Sequence, residues 1–126
     1  MVAVDTNVLV RLIVRDDPAQ TAAATRFIEN GCWSPILAIA ETVWVLQSFY
    51  RFNRAEVLEA LDMLLNNNKL VIDDSEAVTE AVLLLRARPA LGFADCLMLE
   101  LARKAGHLPL GTFDRNLAKC PGATKL

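Results

Sequence analysis

The chain has 126 residues, a usual length for one domain, and its 54% hydrophobic share leaves ample material for a core. The formal net charge of −2 is not the basic excess of most nucleic-acid binders, although charge can be segregated on a surface. No apolar stretch reaches the ~18 residues that span a bilayer, and three widely spaced cysteines with a single histidine argue against a disulfide framework or a zinc site.

Val2–Val4 read as a short, fully buried strand, and Asn7–Val14 as a short, mostly apolar helix. Asp16-Asp17-Pro18 marks a helix start, an Asp cap with Pro at the first helical position, and that helix runs to about Glu29 before Asn30-Gly31. Cys32–Ser34 is a second short strand and Ile36 to about Tyr50 a helix. Asn53 and Glu56 have capping-box spacing and open a helix through Leu65. Leu70–Ile72 is a third apolar triplet, after which Asp73 or Asp74 caps a helix to about Arg86. Pro89 and Gly92 break the chain, Phe93–Ala105 is helical, and Gly106 stops it, leaving His107 in a turn. Leu108–Phe113 is another strand, Asp114–Lys119 a short helix, and Ala123–Leu126 a last edge strand.

Short apolar strands alternating with helices predict one α/β domain over residues 1–126, a parallel sheet with helices on both faces. The active site of such a sheet lies beyond the carboxyl ends of its strands. The three cysteines read as buried thiols. With no basic-then-apolar leader evident, the expectation is a soluble, cytoplasmic protein. The high apolar share in so short a chain points to a hydrophobic surface that meets a partner.

Most acidic residues cap helices or fit solvent-facing positions, but four stand out. Asp5 follows the first strand at its carboxyl end and doubles as a candidate N-cap for the next helix. Glu41 lies in "PILAIAETVWVL", where nearly every neighbour is apolar. Either it is buried, and needs a cation or several donors, or it shares a wet edge with Thr42. Asp95 opens the helix Phe93–Ala105 and shares a face with Met98, Leu99 and Ala102, where a helix N-terminus also favours a negative charge. Asp114 follows a strand as Asp5 does, and is equally a cap.

If these carboxylates converge, they need compensation, because two of them 4 Å apart repel by about 4 kcal/mol at an effective dielectric near 20. Oxygen ligands without His or Cys point to Mg²⁺ or Mn²⁺ rather than Zn²⁺. A metal of that kind activates water and neutralises charge on a phosphodiester, so hydrolysis of a nucleic acid backbone is the natural chemistry.

With these residues in view, the sequence resembles the PIN-domain ribonucleases, and most closely the VapC toxins of prokaryotic toxin–antitoxin pairs. "VAVDTNVLVRLI" looks like the family's opening strand and Asp-Thr-Asn motif, "ILAIAETVWVL" like its glutamate helix, "LGFADCLMLELARKAG" like the helix with the third acid, and "LPLGTFDRNLAK" like its Thr-x-Asp strand end. The resemblance covers almost the whole chain, and its specificity lies in the order and spacing of the motifs. It implies a three-layer α/β/α domain with a central parallel sheet of four or five strands. It implies Asp5, Glu41, Asp95 and Asp114 as the catalytic, metal-binding set. Asp5 and Asp95 would be direct Mg²⁺ ligands, with Mn²⁺ as a substitute. Glu41 and Asp114 would ligate or act through water, and Asn7 and Thr112 would be polar helpers. Asn116 stands close enough in sequence to share the role of Asp114. The resemblance also implies an RNA substrate, a VapB-like antitoxin and a homodimer.

Arg11, Arg15, Arg115 and Lys119 are candidate phosphate contacts. Arg11 and Arg15 are four apart on a predicted helix and so share a face, although a solvated basic edge explains each of the four better. Trp33 and Trp44 suit base stacking, but core or interface packing explains them better. The competing readings are a non-catalytic PIN-like module that binds RNA or protein, and an aspartate-nucleophile phosphotransferase. Against the latter, Asn7 stands where a second acid is wanted.

Overall fold

The apolar triplets form strands that pair in parallel. The computed structural model describes all of residues 1–126, and these divide into two units, Met1–Ser75 and Glu76–Leu126. In the first unit the order is β1 (Val2–Ala3), α1 (Thr6–Ile13), α2 (Pro18–Phe27), β2 (Cys32–Ser34), α3 (Ile36–Ser48), α4 (Arg54–Leu65) and β3 (Leu70–Ile72). Strand β2 is central, with Val2 opposite Cys32 on one side and Cys32 opposite Leu70 on the other. A helix pair follows each of β1 and β2, as parallel strands require a crossover.

One sheet face is covered, through Cys32, Ser34, Leu70 and Ile72, while Trp33 and Val71 between them remain exposed. The predicted first strand is also less buried than expected. Val2 and Ala3 are exposed at the sheet edge, and Val4 is the buried residue, its N–H donating to the Trp33 carbonyl at 2.9 Å. Helix α1 packs against α2 and α3, and Leu9, Val10, Ile39 and Leu46 are buried in this unit's core.

The capping signals work as read. Asp17 accepts from the Gln20 N–H at 3.0 Å with Pro18 opening α2. At α4, Asn53 accepts from Glu56 N–H at 2.8 Å and Glu56 accepts from Asn53 N–H at 3.0 Å. Gly31 turns the chain after α2 at φ +95°, a conformation that side chains rarely adopt.

The second unit, which α5 (Ser75–Ala87) opens, contains α6 (Phe93–Ala105), β4 (Leu110–Thr112), α7 (Arg115–Ala118) and β5 (Ala123–Lys125). Strand β4 begins two residues later than predicted because Pro109 has no N–H to donate to a ladder. It pairs in parallel with β5, Leu110 opposite Ala123. Val78, Ala81, Cys96 and Leu99 are fully buried here. Every strand pairing is therefore parallel, as expected, but the strands hydrogen-bond as a set of three in the first unit and of two in the second rather than as one sheet of four or five.

The three cysteines are free and buried. Burial pushes the Cys32 thiol up, and it pushes Cys96 up to about 12, with smaller contributions from Cys120 and from the charges of Asp95 and Glu100. The thiolate is the reactive form. Iodoacetamide at mildly alkaline pH should therefore label none of the three in the native protein and all three after denaturation, as read by mass spectrometry; rapid labelling of any native cysteine would contradict their burial. Replacing Asn53 with Ala should cost about 1 kcal/mol of stability, seen as a lower denaturant midpoint at unchanged slope.

Candidate functional site

In the first unit Asp5 lies just past β1 and is the N-cap of α1, one carboxylate oxygen accepting from the Val8 N–H at 3.2 Å. The side chain is exposed, so its second oxygen faces water. Asn7 is also exposed, in the first turn of the same helix.

Glu41 sits on α3, which packs against α1. It is exposed, so the expectation of a buried carboxylate is corrected; the wet-edge alternative holds for Glu41 alone, because Thr42, expected to share that edge, is buried. The reason is visible on the helix. Thr42 and Val43 turn inward, with the Thr42 hydroxyl donating to the Ala38 carbonyl at 2.7 Å. Leu37, Glu41 and Trp44 form an outward stripe at helical spacing, and Leu37 and Trp44 are each 67% exposed. The apolar residues around Glu41 in sequence mark an uncovered face, not a buried one.

Arg11 does not behave as a free phosphate contact. It is half-buried, pairs with Asp16 at 2.6 Å, and donates to the Tyr50 hydroxyl. Arg15 lies beyond the end of α1 at Ile13, so the two arginines do not share a helical face. This clamp joins residues 39 apart and left no periodic trace in the sequence; only the arginine itself was a signal.

In the second unit the two remaining acids come together electrostatically. Asp95 lies in the first turn of α6, whose N-cap, Gly92, has no side chain to cap with. Asp114 is the N-cap of α7, accepting from the Leu117 N–H at 2.8 Å, while its own N–H donates to the Thr112 hydroxyl at 3.0 Å. Thr112 therefore fixes the turn that presents Asp114. The Asp95 carboxyl is raised above its usual range, first by burial and then by the negative charge of Asp114. A helix N-terminus opposes such a rise, so burial and repulsion outweigh it here. No lysine or arginine pairs with either acid. Asn116, the suggested stand-in, is exposed and carries no charge for Asp95 to feel.

Within neither unit do three or more His, Cys, Asp or Glu side chains gather into a metal-holding group. The Asp95–Asp114 pair does fit the donor chemistry of Mg²⁺ or Mn²⁺: carboxylate oxygens only, with unpaired charge that a divalent cation would offset. Cys96 and Cys120 are buried thiols and do not suit such a metal.

The raised Asp95 value has a signed consequence for stability. Between the unfolded and the native pKa, the native state holds the proton more tightly, so stability falls as pH rises through that window. In metal-free protein, Asp95→Asn should therefore melt higher than wild type at neutral pH. The difference should shrink as pH falls towards the unfolded value of 3.8, measured as melting temperature against pH in EDTA. A variant that melts lower at neutral pH would show that the helix-end attraction dominates instead.

No helix of the chain is long and apolar enough to cross a membrane. No curated protein matches the chain closely enough to serve as a relative. The family model of the PIN domain matches residues 2–123, nearly the full length. The chain belongs to the PIN domain family, whose members are in general nucleases.

Proposed function

We propose that this chain, read as one PIN domain over residues 1–126, is a Mg²⁺-dependent endoribonuclease that hydrolyses RNA phosphodiester bonds. We assign it as the toxin of a VapBC-type pair. The observation that carries the reading is the Asp95–Asp114 pair: Asp95 is partly buried, its charge is disfavoured by that burial and by Asp114, and no protein cation pairs with either. A structural acid has no need of that arrangement, whereas a metal ligand does. PIN-domain nucleases typically use divalent metals, which agrees with an all-oxygen donor set.

Asp5 and Asp95 are the proposed direct ligands, and Glu41 and Asp114 ligate or act through water. When bound, Mg²⁺ or Mn²⁺ would supply an activated water and stabilise charge developing on the phosphodiester. The chain's own contributions are positional. The Val8 N–H holds one oxygen of Asp5, and the Leu117 N–H holds one of Asp114, so each carboxylate keeps a second oxygen to offer. The Thr112 hydroxyl holds the backbone of Asp114 in place, and Asn7 is placed to orient water or substrate. Exposed Leu37, Trp44 and Phe49 support a homodimer and a VapB-like antitoxin as partners, since apolar side chains left in water are the usual mark of a protein contact.

The test is cleavage of a structured RNA pool by the purified protein with Mg²⁺ or Mn²⁺ and then with EDTA. Cutting should require the metal. Asp5→Asn and Asp95→Asn should each lose about 100-fold or more of the rate while still folding by thermal melt. No cutting of any RNA, together with no effect of Mg²⁺ on the wild-type melt, would replace this reading with a non-catalytic binding module.

A further inference from the structure

The outer face of α2 carries charge that the acidic residues do not account for. Arg15, Pro18, Thr21, Ala22, Thr25 and Arg26 line a shallow groove of about 480 Å³. A second groove of about 210 Å³ shares Thr25 and Arg26 with it and continues past Ile28 and Glu29 to Lys69. Arg15, Arg26 and Lys69 are all exposed, and none forms an ion pair. Of the acids beside Arg15 in sequence, Asp16 pairs with Arg11, whereas Asp17 caps α2 through the Gln20 N–H and keeps its charge. Glu29 is the one acid in the lining.

The groove wall is largely apolar, and Thr21 and Thr25 supply its hydroxyls. Thr25 donates to the Thr21 carbonyl at 2.8 Å, and the Thr21 hydroxyl is buried with no hydrogen-bond partner.

We infer that this face is a docking track for the sugar–phosphate backbone of RNA, separate from the acidic residues that would cut it. The inference rests on the ribonuclease reading and adds a second contact to it. Three exposed, unpaired cations on two adjoining grooves suit a polyanion. The ten residues of α2 span about 15 Å, room for a few backbone phosphates. The lining has no aromatic side chain, and its one large aliphatic residue, Ile28, is buried, so it offers little of the anchor a partner protein would use. The chain's acidity overall is no obstacle, because binding of this kind depends on local cations and counterion release.

The test is binding of a fluorescent RNA in EDTA, where no cutting occurs, as a function of salt. Wild type should bind with a linear dependence of log affinity on log salt. A variant carrying Arg15→Gln, Arg26→Gln and Lys69→Gln should bind at least tenfold more weakly at low salt, with a slope smaller by about 2, the value for three lost single-strand contacts. Asp95→Asn should keep wild-type binding while losing cleavage. Wild-type affinity and slope in the triple variant would overturn the track and leave the nuclease reading standing. Absence of RNA binding by wild type in EDTA would also overturn the track, whereas the nuclease reading falls only if cleavage with Mg²⁺ or Mn²⁺ fails as well. Capture of polyglutamate in place of RNA, lost in the triple variant, would reassign the face to an acidic protein.

Discussion

The backbone of β2 is the constraint on which the first unit depends. It is the one strand paired on both edges, and its ladder to β1 ends where the Val4 N–H meets the Trp33 carbonyl. The next residue along is Asp5. A strand that can no longer donate to a neighbour must turn, and the acid at the turn takes up the first free amides of the helix that follows. The same logic operates in the second unit, where β4 gives way to Asp114 and α7. Strand ends thus create both a bend in the chain and a demand for a carboxylate at that bend.

Much of this arrangement is legible from residue order alone. Asp17-Pro18, the Asn53 and Glu56 box and Gly106 are local signals, and local signals need no knowledge of the rest of the chain. Helices α4 and α6 follow them closely. What sequence does not disclose is which apolar face is covered. Periodicity assigns Leu37 and Trp44 to one side of α3 but is silent on whether anything packs there, so Glu41 reads as buried when it is wet. Trp33 and Val71 pose the same problem in the sheet. Long-range side-chain pairing is hidden for a related reason: the Arg11–Tyr50 clamp depends on where α1 meets the end of α3.

The acidic residues are a mixed case. Asp5, Asp95 and Asp114 each read as a helix-end acid or as a ligand, and for Asp5 and Asp114 those readings are compatible. A carboxylate has two oxygens, and each of these side chains uses one on a backbone N–H. Asp95 differs in kind. It meets no amide, and its discomfort comes from burial and from Asp114. Sequence could place it on a helix but not beside another charge, since that neighbour arrives from nineteen residues further along the chain (114 − 95 = 19).

The caps also alter the thermodynamics of anything that later binds there. A free aspartate samples several rotamers, and a ligand that fixes it must offset the lost freedom. Asp5 and Asp114 have already given up that freedom during folding, because a helix end holds them. Any cation or donor that engages their outer oxygens meets side chains that are preorganised, with the entropic cost charged to the native fold and not to the encounter. The same coupling gives selection two traits to weigh at a single position. Alanine there would remove a helix cap as well as a proposed ligand, whereas asparagine keeps the cap and changes only the charge.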